Sequence, residues 1–550
     1  MSRPLAGCVL ALACVAAPAW SQAPLEADPA PPSFAELEAA GAVIGEIRID
    51  NQNVFDERDP RENNALYRLV NWMHVRTRPE VIRRQLLFAS GDRVSVRVIE
   101  ESERLLRGNV YLYDVRIRPV EVHDGIVDVE VRTRDSWSLA PSASLSRAGG
   151  TNSGGIGLRD YNVLGSGMRI SLASKANVGS TGGVSHTGTD FQQSYPNAFA
   201  ERVAVGYTRA TFAGGSSQGF VLSRPFYALD ARWAAGVSLS RDNRPFSIVN
   251  SDGSTGQYRR KQEKDEAFGG WSRGLVNGWV QRYSVGLDYE RDRYGLDDGV
   301  VPAERLPADR KLVAPFVRYE VVEDNFRKVT NVDQIGRPEY FTLGFFSSLQ
   351  YGRALPALGS SEYASLYSGT LGKGFRLPGD ATLLASGSFS GEYANGRGDQ
   401  QLTGGLLRFY HRQQGGSVLY SALSADHARY VDGTLPLTLG GDTGMRGYPS
   451  SYQSGNQRVL FTAEERFYTD WYPFRLFRLG SAIFFDHGRA WSEPLSPPNS
   501  RWLSDVGFGL RIQSARSATG TTLHVDFAFP VHRDTGIKSY QFSFMSKTGF

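Results

Sequence analysis

From Ser136 to the end of the 550-residue chain, apolar and polar positions alternate in run after run. In Leu523-His524-Val525-Asp526-Phe527-Ala528-Phe529 every odd residue is apolar and every even one is polar or small, and Tyr283 to Glu290 repeats the scheme. Phe341, Leu343, Phe345, Leu349 and Tyr351 follow the same parity. Period-two alternation predicts β-strands with two unlike faces. Here one face is apolar and the other carries Asp, Glu and His, which is the sidedness of a barrel with lipid outside and water inside. A soluble sandwich would turn its apolar face inward. The last residues, Tyr540 to Phe550, extend the pattern with Phe542, Phe544 and Phe550 and predict a closing strand, because a terminal apolar strand left unpaired invites aggregation. Roughly 16 to 20 candidate runs can be drawn, an even number being expected for a bacterial single-chain barrel. Gly182 to Tyr195 reads either as strand or as loop.

Upstream the period changes. From Ala42 to about Asp135 the pattern predicts a small α/β unit in the order strand, helix, helix, strand, strand. Val43, Ile47 and Ile49 alternate in the first strand. Thr77-Arg78-Pro79-Glu80 has the form of a capping box opening a helix with Val81, Ile82, Gln85 and Leu86 on one face and Gly91 just past its end. Ser95 can cap a second helix carrying Val98, Ile99, Ser102, Leu105 and Leu106. Val115–Val122 and Ile126–Val131 then form a hairpin through Asp124-Gly125. An extra segment, Glu57 to His74, places Leu66, Leu69, Val70 and Met73 at helical spacing; its apolar side either packs on the domain or touches a partner.

Composition narrows the function classes. Hydrophobic residues make up 41% and mean hydropathy is −0.33, and past residue 21 no run approaches the ~20 apolar residues of a spanning helix. The formal charge is +4, from 61 basic and 57 acidic residues, so nothing argues for nucleic acid as a partner. Arg3, the apolar stretch Leu5–Ala17 and Ala19-Trp20-Ser21 have the form of a secretory signal cut after Ser21 or Ala19. Leu5-Ala6-Gly7-Cys8 matches a lipobox only in form, since four residues supply no apolar stretch before the cysteine. Both cysteines, Cys8 and Cys14, lie in this leader, which leaves the mature chain without disulfide or thiolate metal site. The reading is a signal peptide at 1–21, a Pro-rich linker at 22–41, the α/β domain at 42–135 and the barrel at 136–550. No cofactor, metal site or nucleotide motif is expected. Gly215-Ser216-Ser217-Gln218-Gly219 matches G-x-S-x-G but sits among barrel strands, where a nucleophile elbow has no strand-to-helix turn to stand on. His427, His487, His524 and Asp526 lie on or near strands with no serine tied to them by spacing, so an enzyme is not expected.

Three segments are more specific than alternation. Leu439 to Pro449 is a Gly-rich loop presenting Arg446 beside Tyr448. Phe484-Phe485-Asp486-His487-Gly488 places Asp486 on the same strand face as Phe484 and Gly488. Between them, Glu464 and Arg466 share one face and Val459, Phe461 and Phe467 the other. A guanidinium in a constricted lumen loses hydration and calls for paired acceptors such as Asp486 and Glu464. A loop pinned in this way would restrict an otherwise open pore; the alternative is a solvated turn arginine beside unrelated carboxylates.

These residues resemble the Omp85 superfamily, which contains BamA, TamA and the two-partner secretion translocators. Met445-Arg446-Gly447-Tyr448 is similar to the family's loop-six motif, and Phe484, Asp486 and Gly488 to its Phe-x-Asp-x-Gly strand motif. Asp160 to Gly167 resembles an early turn of the family with Val163 inserted, Gln541-Phe542-Ser543-Phe544 and Lys547-Thr548 resemble a BamA-like terminal strand, and the 42–135 unit is similar to one POTRA domain. The resemblance implies a transmembrane antiparallel β-barrel of 16 strands in the bacterial outer membrane, closed by an openable seam between first and last strands. It implies Arg446 paired with Asp486 and Glu464 in the lumen, and a periplasmic POTRA unit taking clients by strand addition. The partners implied are outer-membrane lipid, an unidentified protein client and the insertion machinery that assembles the barrel; the function implied is ATP-independent insertion or translocation of protein. The residues alone leave open a passive channel, a structural barrel or lipid handling. The chain departs from the family in carrying one POTRA unit, in Met445 where a branched aliphatic is usual, and in a Phe34–Gly41 segment too short for a plug helix.

Overall fold

A computed structural model describes residues 31–148, 151–178, 184–199, 202–212, 214–249, 255–297, 306–395, 397–413, 415–429, 437–492, 500–518 and 521–547. The expected leader, residues 22–30 of the linker, and Thr548 to Phe550 lie outside the described residues.

The α/β domain begins earlier than the sequence pattern places it. Ser33 and Glu36 form a reciprocal capping box that starts α1 (Phe34–Ala39), and Leu37 is buried in the domain core with Ile44, Ile82 and Leu106. Residues 34–39, expected in the linker, are therefore part of the domain. β1 (Val43–Gln52), α2 (Ala65–Met73), α3 (Pro79–Arg83), α4 (Val96–Arg107), β2 (Leu112–His123) and β3 (Ile126–Asp135) follow. β3 is central, parallel to β1 and antiparallel to β2. The β2–β3 turn sits on Asp124 and Gly125 at φ of 51° and 77°, the left-handed pair of a tight hairpin turn. The expected capping box at α3 does not form: Arg78 is the N-cap, and Thr77 donates from its hydroxyl and its backbone N–H to buried Asp135 at 2.9 and 2.7 Å. A buried carboxylate outcompetes a solvent-facing cap because it has no water to fall back on.

Among the described residues twenty antiparallel strands close into a barrel, and the first, Leu139–Ala148, meets the last, Gln541–Lys547. The expectation of 16 strands is corrected. Val184–Phe199 is one of the twenty, so most of the ambiguous Gly182–Tyr195 run is strand. The run from Phe341 to Tyr351 is not a single strand. Phe341 belongs to an accessory hairpin, Phe326–Thr330 with Pro338–Thr342, and the chain re-enters the wall only at Phe346–Ala354. Phe341 and Leu343 are buried, whereas Leu349 and Tyr351 face outward. Parity continues across the break, so alternation could not reveal it.

The wall has the sidedness that a bilayer demands. Tyr283, Val285 and Leu287 are exposed on the outer face, as are Ile483, Phe485, Phe508 and Phe529, while His524, Asp526 and Ala528 are buried on the inner face. In a closed barrel every strand is paired on both sides, so the backbone can be satisfied in hydrocarbon. Among the described residues no helix is long and apolar enough to cross a membrane. The α/β domain caps one end of the barrel, called the domain side below.

Candidate functional site

Leu437–Leu439 pairs with Gln453–Gly455 in a short ribbon at the end of the barrel away from the domain, and this ribbon sends Gly440 to Tyr452 down into the lumen. At its tip Met445 adopts φ 58°. The left-handed region costs a side chain about 1–2 kcal/mol and is worst for branched ones, which suits unbranched Met at this place. Met445 and Tyr448 are fully buried against Leu439, Ala490 and Leu503 and hold the tip on the wall. The Tyr448 hydroxyl donates to the Ser504 carbonyl at 3.1 Å, with the His532 carbonyl also in reach at 3.0 Å.

This seating delivers Arg446 to the carboxylates. Its Nε and Nη2 donate to both oxygens of Asp486 at 2.7 and 2.9 Å, and Nη1 donates to Glu464 at 2.8 Å. Asp526 is 3.9 Å away, and the guanidinium lies 3.4 Å over the Phe484 ring. Arg446, Glu464 and Asp486 are each less than 10% exposed, so this is a desolvated cluster rather than a surface pair. The solvated-turn alternative is thereby excluded for Arg446. Gly447 donates its N–H to Asp505 at 3.0 Å, and a Cβ at Gly447 would stand 2.7 Å from that of Asp505; only glycine permits the approach. Gly488 has the same logic, since its Cβ would lie 2.8 Å from the Val459 carbonyl. The expected residues of the loop and strand motifs therefore meet in one place.

The sequence reading missed what lies beyond Glu464. Arg466, fully buried, donates to the other Glu464 oxygen at 3.0 Å, then to the Val332 carbonyl and Asp333 at 3.0 Å each. Val332 and Asp333 form the tip of the accessory hairpin. A continuous series of charges, Arg446–Glu464–Arg466–Asp333, thus joins a loop from one end of the barrel to a hairpin at the other. The hairpin crosses the domain-side mouth: it leaves the wall beside Phe346–Ala354 and reaches Gln513, to which Ile335 donates its N–H at 2.5 Å. It is tied to the domain as well, Lys328 donating to Glu103 of α4 at 2.7 Å and Arg337 to the Leu112 carbonyl at 2.9 Å. The parity of Arg466 with Glu464 was legible, but its partner 133 residues upstream was not.

The early turn resembling the family has a concrete task. Asn162 is buried and donates to Thr77 at 2.7 Å while accepting from Gly167 N–H at 2.7 Å; Arg78 donates its N–H to the Gly165 carbonyl at 2.9 Å. Through Thr77 and Asp135, which also holds His74 at 2.9 Å, this turn docks the domain on the barrel. Phe542 packs on Phe527 with ring centroids 4.9 Å apart, and Phe542 and Phe544 share the outer face of the last strand; Phe550 lies outside the described residues. The 215–219 run lies within the strand Gly215–Arg224, and His487 stacks on Trp502. No group of three or more potential metal ligands occurs among the described residues.

No family model matches the chain, and no curated protein does. Among solved structures, CdiB from Escherichia coli aligns over 92% of this chain and 76% of its own, with 14% identity and a TM-score of 0.48. CdiB from Acinetobacter baumannii aligns over 92% and 74%, with 13% identity and a TM-score of 0.43. BamA from Haemophilus ducreyi lacking POTRA domains 1-3 aligns over 91% and 84%, with 13% identity and a TM-score of 0.34.

Proposed function

We propose that this chain is an Omp85-type protein of the bacterial outer membrane that inserts or translocates a protein client, with its α/β domain acting as a single periplasmic POTRA unit. The observation that carries the reading is the Arg446 cluster. A bidentate arginine on Asp486, shared with Glu464 and lying over Phe484, is delivered by a Met-Arg-Gly-Tyr loop folded into the lumen. Position in the barrel agrees. Twenty strands with both ends on the domain side have ten connections at the other end, and the Arg446 loop is the eighth, third from last. The sixth of eight loops in a 16-stranded barrel is also third from last, so the added strands lie upstream of the motifs.

Two further features support the reading. Among the described residues, which stop at Lys547, the last strand pairs with Thr522–Pro530 at seven positions and meets Leu139–Ala148 at Phe544 opposite Arg147. The edge where the last strand meets the first is where a client strand would add. The outer edge of β2 offers a second strand-addition site in the periplasm. The client's own folding would drive the process, with no nucleotide and no covalent chemistry by this chain. The hairpin across the mouth speaks against a passive open channel. Reconstitution tests the choice: accumulation of unassembled client in a deletion strain, with little conductance from the wild-type barrel in planar bilayers, supports a translocator. Steady ohmic conductance insensitive to Arg446→Ala would establish a channel instead.

A further inference from the structure

An amphipathic helix ordinarily buries its apolar face. α2 does the reverse. Its buried face carries Tyr67 and Asn71, while Leu66, Leu69, Trp72 and Met73 are 61%, 48%, 81% and 50% exposed. These four fall at i, i+3, i+6 and i+7, on one side of the helix. Packing on the domain, the first alternative for this segment, thus holds for Val70 alone among its expected apolar face.

The helix is held firmly in this orientation. Asn71 donates to the Phe55 carbonyl at 2.9 Å and accepts from Phe55 N–H at 3.0 Å, and Phe55 stacks on Tyr67 with centroids 4.1 Å apart. The Tyr67 hydroxyl donates to the carbonyl of Phe474, in the turn between the barrel strands Gln457–Tyr468 and Phe477–Trp491, and Arg516 from the next domain-side turn reaches Glu62 and the Val54 carbonyl. α2 is therefore fastened to the barrel rim. In that same turn Trp471 and Phe474 are 67% and 76% exposed, and the strand leaving it begins with outward Phe477. Tyr67 thus brings α2 beside this turn with its exposed aromatics, at the foot of the outward-facing strand Phe477–Trp491. Arg68, one turn before Trp72, is exposed and supplies a cation beside the apolar face, while exposed Arg61 is paired with Asp59.

We infer that α2, with Trp471 and Phe474, inserts into the periplasmic leaflet of the bilayer around the barrel, an interfacial helix that anchors the domain to phospholipid beside the C-terminal strands. Tryptophan and arginine at the edge of an apolar face are what the headgroup boundary favours. The inference rests on the membrane-spanning reading of the barrel, and its test separates the two.

The chain beyond residue 14 contains no cysteine, so single labels can be placed on the full mature protein. Trp72→Cys, Leu69→Cys, the outward barrel position Val285→Cys and the exposed domain position Glu80→Cys each receive an environment-sensitive nitrobenzoxadiazole probe, in vesicles of phosphatidylethanolamine and phosphatidylglycerol. The expected result is quenching of the 72 and 69 labels by lipid spin-labelled near the headgroup, of the 285 label by lipid spin-labelled deep in the chain, and of the 80 label only by aqueous iodide. If the 285 label is quenched by lipid while 72 and 69 respond to iodide as 80 does, the helix is not in the membrane and the inference fails. Shielding of 72 and 69 from both quenchers overturns it too, in favour of a protein partner on that face. If the 285 label also escapes lipid, the membrane reading of the barrel falls and takes the inference with it.

Discussion

The two strands that hold Arg446, Gln457–Tyr468 and Phe477–Trp491, and the edge where the last strand meets the first are built on opposite plans. At the first, twelve consecutive residues are paired across the strands, and a buried arginine with three hydrogen bonds to two carboxylates is laid over the ladder. At the second, the described residues are paired at one register position, Phe544 opposite Arg147. Unpaired backbone groups facing hydrocarbon cost several kcal/mol each, so an edge with few ladder bonds is where an added strand would gain most. The cluster of charges keeps loop and hairpin fixed on the wall.

The largest effect should come from breaking the clamp. Arg446→Ala leaves Asp486 buried without its arginine and Glu464 with Arg466 alone, and should cost about 3–5 kcal/mol, read as a lower urea midpoint for the folded barrel. Asp486→Ala should cost a similar amount, and the double variant little more than either alone, because both remove one contact; additive losses would deny that contact. Asp333→Ala comes next. It removes a charged acceptor from Arg466 and should cost about 1.5–3 kcal/mol, with faster hydrogen exchange in residues 326–342 and an increase in pore conductance. Asn162→Ala should cost about 1 kcal/mol and expose the 76–78 segment to protease while leaving the barrel ladder protected.

The smallest effect is a pH dependence of the hairpin. Glu339 accepts backbone N–H groups from Val332, Asp333 and Gln334 at 3.0–3.2 Å. Burial first, and then the neighbouring Asp333 carboxylate, push its pKa up to about 7 from 4.5. A carboxyl held above its unfolded value binds its proton more tightly in the folded chain, so its contribution is fullest below pH about 4.5 and is lost as pH rises through about 7. Hairpin protection should weaken across that window, and Glu339→Gln should remove the slope.

What was legible in the sequence follows from what periodicity can encode. Alternation gives faces, so the inward Glu464, Arg466 and Asp486 and the outward Phe467 and Phe485 stood where expected. It says nothing of long-range partners, and neither the Arg466–Asp333 contact nor the docking of Asn162 on Thr77 could be read from it. Strand number suffered for a different reason: a resemblance carried by C-terminal motifs fixes the strands near them and not those upstream. Capping also misled at Thr77, whose hydroxyl is claimed by Asp135, and succeeded unnoticed at Ser33.

The contrast between clamp and seam is tested most directly by locking the seam. Phe544→Cys with Arg147→Cys, facing each other across it in an otherwise cysteine-free mature chain, can be joined by oxidation and released by reductant in a strain carrying only this copy. The account predicts that the oxidised barrel stays folded while the outer membrane loses the same proteins as in the deletion strain, and that reductant restores them. A locked barrel that supports a wild-type outer-membrane protein profile would contradict it.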